Sequence, residues 1–559
     1  MRHSLSVIAI SSLWAAAACS DGGTGVKLPP CASSFGSHVS TALGSDTMLD
    51  PASDSGCVVF DNNPSGIDSA IYLVVPQSAT GVPGVTTSFS LHGDTIRPAL
   101  AAAQSYLPAP TLAQQFHDFL RLSEQRRFFG SAPSGPAPAA VAPFPAPPDT
   151  LNQQRGFSVC SNLTCSVFKH ITATAKAVDS TLVIYVDNAA PAGGLSSFDL
   201  DTLARTFDNK LYPLDTAAFG RESDIDGNGK VIVLMTPVVN KLVTKKQCND
   251  PSGGFVAGFF FGADIDPFYA GDSRFNHAEV FYSLVADPDS VLSCAHTANE
   301  VKHLIPVTFI HEFQHMISYN QHVLIKGGDP EVLWLNEGFS HYAEELGGRS
   351  YLPADTVTFT RFVIGDLYNA YQYLDSTGNH FLLPTEGIGS LAERGAAWLF
   401  VRYLVDQLRA DTSFAAGAAV TRPMEATTLT GAANVANATS VSFDRTVTNW
   451  ALANYVSDLP GFTAPSQLKY TSWAFRTTYA SLHANPQLAS TFPKVFPLTP
   501  GMSAGSATSV SGTLRAGSGV FRLVVQPASG PGFTLRFGTS SGGPLAATPV
   551  PRLSVIKIK

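Results

Sequence analysis

Apolar residues change rhythm several times along this chain, and each change predicts a different kind of element. A run of apolar residues at 5–18, just after Arg2, is too short for a stable bilayer anchor and has the layout of an export signal over 1–18. From 26 to 108, short alternating stretches such as Ala70-Ile71-Tyr72-Leu73-Val74-Val75 stand between turn residues and predict a small β domain. Leu112, Phe116, Phe119, Leu120 and Leu122 then fall on one helical face, with Arg121, Arg126 and Arg127 around it. This helix leads into 131–148, a Pro/Ala-rich stretch almost without charge that reads as an exposed, semi-rigid linker. Helix and linker together, 109–155, fit either the end of a propeptide or a plain connector.

Between 156 and 462 the rhythm is that of an α+β domain. Thr181-Leu182-Val183-Ile184-Tyr185-Val186-Asp187 and Val231-Ile232-Val233-Leu234 read as strands, with a helix near 199–209 between them. The segments 253–261 and 278–284 are further strand candidates, one of which is expected to form a cleft edge that takes substrate backbone by strand addition. From 337 to 459 the pattern is helical. That order predicts a mixed sheet in an upper lobe, a helical lower lobe and a cleft between them. Residues 463–559 return to short strands such as Phe521-Arg522-Leu523-Val524-Val525, which predicts a second flanking β domain of sandwich type.

Composition narrows the class. With 559 residues, 45% hydrophobic and 14% charged, the chain can build packed domains and is not disordered. A net charge of −8 argues against nucleic acid as the main partner. Of the seven cysteines, Cys19 stands apart, and the remaining even number in an exported chain predicts disulfides. Neighbour pairing gives Cys31–Cys57, Cys160–Cys165 and Cys248–Cys294, with other connectivities formally open. Ala16-Ala17-Ala18-Cys19 resembles a bacterial lipobox, which implies lipidation of Cys19, a tether over 19–25 and, with Ser20 next, the outer membrane or cell surface. Ordinary signal cleavage nearby would instead give a secreted protein.

The chemistry concentrates at His311-Glu312-Phe313-Gln314-His315. Residues four apart share a helix face, so both imidazoles can hold one metal ion, and Glu312 points at the open position where water sits. A catalytic zinc needs a third protein ligand. One arrangement takes it from a third His shortly after the second, but here Ser318 stands where the turning Gly belongs, Gln321 where the His belongs, and His322 is one residue out of register. The other takes a Glu from a second helix. Trp334-Leu335-Asn336-Glu337-Gly338-Phe339-Ser340-His341-Tyr342-Ala343-Glu344 comes after a turn containing Gly327, Gly328, Asp329 and Pro330, and makes Glu337 the ligand. Glu344, two turns on and on the same face, is placed to orient a ligand imidazole from behind.

These two helices resemble those of the gluzincin metallopeptidases, most closely the hyicolysin family, with a looser likeness to aminopeptidases and thermolysins. The resemblance extends to the strand at 181–187, to Asp224-Ile225-Asp226-Gly227-Asn228-Gly229-Lys230 with its adjoining strand, and to 395–400 and 449–453. It implies a thermolysin-like catalytic domain over 156–462 and zinc-assisted peptide hydrolysis, in which Glu312 activates the water held at the metal. No GAMEN-like stretch is present, which favours an endopeptidase acting on proteins. The donor for the oxyanion is open among His341, Tyr351, Tyr368, Tyr371, Tyr373 and Arg394.

Two further readings stand beside this. Asp224, Asp226 and Asn228, with Gly229, match the first half of an EF-hand calcium loop, yet Met235 holds the position of its bidentate Glu and a strand comes next; the other reading is a plain turn. At the level of function, a surface-binding or adhesion lipoprotein with a vestigial zinc domain competes with the peptidase, as does a zinc hydrolase of non-protein amides.

Overall fold

The computed structural model describes residues 31, 36–93, 110–127, 148–250, 253–385, 387, 389–409, 414–539 and 543–559. The export signal, Cys19 and its tether, and the linker at 131–147 lie outside the described residues.

The fold is α+β. Its centre is a six-stranded mixed sheet made from β6 (Gln154–Cys160), β7 (Phe168–Val178), β8 (Leu182–Asp187), β9 (Val231–Met235), β10 (Gly258–Phe260) and β11 (Val280–Ser283). The order is β10-β11-β9-β8-β7-β6, with β8, β9 and β11 parallel to one another and β10 antiparallel at the edge. Every residue of β9 is buried, as expected of a strand covered on both faces.

One correction concerns the flanks. Two separate β domains were expected, over 26–108 and 463–559. Instead the strands from both ends of the chain interleave in a single sandwich. Its strands are β1 (Ser37–His38), β2 (Asp46–Leu49), β3 (Cys57–Phe60), β4 (Ala70–Ser78) and β5 (Thr86–Gly93) from the start of the chain. From its end come β12 (Gly501–Ala504), β13 (Ser509–Arg515), β14 (Arg522–Gln526), β15 (Phe533–Gly538) and β16 (Pro551–Lys557). The two sheets run β1-β3-β15-β5-β13 and β12-β14-β4-β16-β2. Alternation along one strand shows how this module joins the rest: Tyr72 and Val74 of β4 enter the sandwich core, whereas Leu73 and Val75 enter the larger core around the six-stranded sheet. Pairing between such distant segments leaves no local sequence signal, which is why each half looked independent. A second correction is smaller. The strands of the last segment begin at Gly501, and Phe475–Ala484 is a helix whose Phe475 and Tyr479 pack into the main core.

The interleaving bears on the propeptide reading. A cut in the 131–148 linker leaves β15 between β3 and β5, and β4 between β14 and β16. The expected result of nicking there is two fragments that co-elute in native gel filtration and separate only in denaturant. Spontaneous separation in native buffer would show that the shared sheets do not hold the ends together.

Helices make up most of the remainder of the chain between the two parts of the sandwich. α1 (Leu112–Gln125) begins in a capping box between Thr111 and Gln114, and α2 (Ser197–Thr206) in one between Ser196 and Asp199. α3 (Ala298–Tyr319) carries the His-Glu pair, starts in a capping box of Thr297 and Glu300, and continues the chain toward α4 (Leu333–Arg349). α5 (Thr356–Asp375), α6 (Leu391–Leu408) and α7 (Phe443–Val456) complete the support. Two glycines allow the close packing. A Cβ on Gly338 of α4 would stand 2.8 Å from Val401 Cγ2 of α6, and one on Gly395 of α6 would stand 2.1 Å from the backbone of Asn369 in α5. Among the described residues no helix is long and apolar enough to cross a membrane. The cysteines pair as neighbours: Cys31–Cys57, Cys160–Cys165 and Cys248–Cys294.

Candidate metal centre and active site

Helix spacing puts His311 and His315 on successive turns of α3, and the turn after residue 326 folds α4 back so that Glu337 faces them. His315 Nε2 lies 3.2 Å from His311 Nε2 and 3.3 Å from Glu337 Oε1, and His311 Nε2 lies 3.8 Å from Glu337 Oε2. Ligand atoms on a tetrahedral zinc, at bonds of about 2.0–2.2 Å, stand about 3.3–3.6 Å apart, so the three donors lie within a few tenths of an ångström of the spacing such an ion requires. Glu337 Oε2 is buried without a hydrogen-bond partner, a costly state for a carboxylate oxygen unless a cation completes it. The donor set fits zinc: two imidazoles and one carboxylate.

The far nitrogens of both imidazoles are fixed. His311 Nδ1 donates to Glu344 Oε1 at 2.7 Å, so Glu344 stands behind this imidazole on the side away from Glu337 and His315. His315 Nδ1 lies 3.0 Å from Asn336 Oδ1 and 3.1 Å from Ser340 Oγ, two partners that sequence reasoning did not single out. Asn336 and Ser340 are four apart and share the face of α4 beside that of Glu337, and no motif in the sequence singles them out. Burial lowers the His315 pKa to about 3, which keeps the imidazole neutral and able to ligate. Burial alone would raise the Glu337 carboxyl, but His315, Arg394 and His311 around it hold it well below the ordinary carboxylate range.

Glu312 sits one step round from the two histidines, buried, with its pKa raised by burial. Its Oε2 accepts from the Phe260 N–H of edge strand β10 at 3.0 Å. α1 reaches the same carboxylate: His117 Nδ1 stands 3.7 Å from Oε1 and Arg121 Nη2 3.8 Å from Oε2. Neither residue was flagged from the sequence, because a lone His and an Arg on an amphipathic helix carry no motif. Arg121 also donates to Phe260 O at 2.6 Å, and Glu124 accepts from Gly262 N–H at 2.8 Å. The expectation that β10 offers a free edge to substrate is therefore corrected. α1 covers that edge, with Phe116 packed edge-on against Phe259 at 4.9 Å, as proteins commonly shield an apolar edge strand.

Among the candidate oxyanion donors, only two come near. Arg394 Nε lies 3.9 Å from Glu337 Oε2, and its Nε and Nη2 are buried with no hydrogen-bond partner, so these donors are available at the site. His341 Nε2 lies 4.0 Å from Glu337 Oε2, but its Nδ1 is held between Glu344 at 3.1 Å and Asp366 at 2.8 Å. Burial opposes the charged form of His341, yet those carboxylates win and raise its pKa to about 10. The tyrosines are elsewhere. Tyr351 lies beneath Lys210, Tyr371 accepts from the Lys494 N–H, Tyr373 pairs with Ser518, and Tyr368 packs edge-on to Phe492. His322, the out-of-register histidine, is fully buried beside Glu425 at 3.2 Å, away from the three donors.

Part of the chain is similar to a known metalloprotease. It is 30% identical over 145 residues to the neutral metalloprotease ShpI of Staphylococcus hyicus, which is 26% of this chain and 30% of that protein. The chain thus spans about a third of that relative's length. No protein-family model matches the chain.

Arg394 gives a direct prediction. If the site hydrolyses peptides, Arg394→Ala is expected to retain the metal content of the parent chain and to lose roughly 10²–10³ in kcat, the usual cost of one oxyanion donor. A variant with unchanged kcat at full metal content would remove Arg394 from this role.

Proposed function

We propose that the protein is a zinc-dependent endopeptidase of the gluzincin type, similar to hyicolysins, acting on protein substrates. The observation that carries this reading is the buried Glu312 carboxylate standing beside three donors spaced for a tetrahedral metal. The likeness to a metalloprotease supports it. His311, His315 and Glu337 would hold zinc, which when bound would supply Lewis acidity to the scissile carbonyl and to a water molecule. The chain's own residues do the rest. Glu312, held by the Phe260 N–H, takes a proton from the attacking water and delivers it to the leaving amine. Arg394 donates to the oxygen on which charge develops. Glu344, Asn336 and Ser340 keep the imidazoles oriented. The three cysteine pairs support an exported protein, and the lipobox-like Cys19 an anchor at the outer membrane or cell surface, with release as a secreted form the alternative.

The test is hydrolysis of casein by the purified chain, intact and nicked in the 131–148 linker, with zinc quantified. One zinc per chain and chelator-sensitive cleavage are expected. Zinc without cleavage of casein or peptides in either form would sink the peptidase reading and leave a binding protein with a vestigial zinc domain. Cleavage confined to acyl-amino compounds would make it an amide hydrolase.

A further inference from the structure

The Asp224–Lys230 loop lacks the acidic residue that normally closes an EF-hand site, and the element after the loop explains why. A helix in that place brings the twelfth residue back to the ion. Here the loop runs into β9, and a strand advances about 3.3 Å per residue, so Met235 at its far end is carried away. The sheet supplies a substitute. β11 runs parallel to β9 with Val280 opposite Ile232, and this register sets Glu279, just before β11, beside the end of the loop. Oxygens of Asp224, Asp226 and Glu279 lie within 4.8 Å of one another.

Glu279 is the independent sign of a ligand. It is 1% exposed; its Oε1 accepts from Ser223 Oγ at 2.5 Å and Ile225 N–H at 2.9 Å, while its Oε2 is buried with no partner. The first two bonds fix the carboxylate and leave the second oxygen unsatisfied at the acidic loop. One guanidinium is present: Arg155 reaches Asp226 Oδ2 at 3.2 Å. A single Arg against three carboxylates leaves net negative charge. Lys230 does not redress it, because its ammonium donates to the Asp179 and Ser180 carbonyls. Asn228, expected as a ligand, is otherwise engaged. Its Oδ1 accepts from Lys230 N–H at 2.6 Å and its amide donates to Asp149 at 3.1 Å.

We propose that Asp224, Asp226 and Glu279 form a second metal site, for a divalent cation that prefers oxygen ligands, namely calcium. The ion ties the loop before β9 to the start of β11, and through Asp226 and Arg155 to β6. This proposal does not depend on the peptidase reading. The test is calcium titration of the zinc-loaded full chain, freed of calcium on a chelating resin, read by calorimetry and thermal unfolding. One calcium per chain and a higher Tm are expected. Glu279→Gln, isosteric in its buried niche, is expected to weaken calcium binding at least tenfold with zinc content unchanged. Asp224→Asn, on the exposed loop, guards against a folding artefact and should weaken it likewise. No calcium binding by the parent chain overturns the site. Equal binding by both variants overturns it as well.

Discussion

Glu312→Gln is expected to retain one zinc per chain and to lose casein hydrolysis by roughly 10²–10⁴-fold, the range a positioned general base supplies. The substitution keeps the shape of the side chain, and Gln Oε1 can still accept from the Phe260 N–H that fixes it. What it removes is the basic oxygen. His315→Ala is expected to fail differently. It deletes a donor from the 3.2–3.3 Å contacts that define the centre, so metal content falls together with activity. The pair separates the two roles. If Glu312→Gln cleaved casein at the parental rate with zinc in place, another group would have to serve as base, and His117, at 3.7 Å, would be the first to examine.

The three candidate metal donors were legible because helix geometry links sequence spacing to space: four residues for the two histidines, seven from Glu337 to Glu344. The residues that approach from other elements were not. His117 and Arg121 arrive from α1, whose docking depends on covering the Phe-rich edge of β10, and no periodicity within α1 records its destination. Glu279 reaches the Asp224–Lys230 loop through a parallel register that only the assembled sheet defines. The shared sandwich is the largest case. Its strands were each visible as alternating segments, but β15 enters between β3 and β5 from the opposite end of the chain. Local pattern specifies strands, whereas long-range pairing is settled by which apolar faces can be buried together.

The adjacent pair Glu344-Glu345 should show the sharpest contrast in the molecule. One residue turns a helix by about 100°, so the two carboxylates of α4 leave on different faces. Glu344 looks at His311 and His341; Glu345 looks into the core. There its Oε1 accepts from Arg349 Nε at 2.6 Å and Trp473 Nε1 at 2.9 Å and lies 3.4 Å from Arg402 Nη1, while Oε2 accepts from Trp398 Nε1 at 3.1 Å. Glu345→Ala strands all these donors and leaves the buried Arg402 with Asp406 as its remaining ion-pair partner. Breaking a buried charge network of this kind costs about 3–5 kcal/mol, and that is the expected loss of unfolding free energy in denaturant titration. Glu344→Gln is expected to weaken zinc binding by roughly 10–100-fold, because it loosens the orientation of the His311 imidazole, and to lower the denaturation midpoint less than Glu345→Ala, because Asp366 still pairs with His341. The reverse pattern, with Glu344→Gln unfolding the protein and Glu345→Ala releasing the metal, would mean that α4 is rotated from the position in which Glu337 faces His311 and His315.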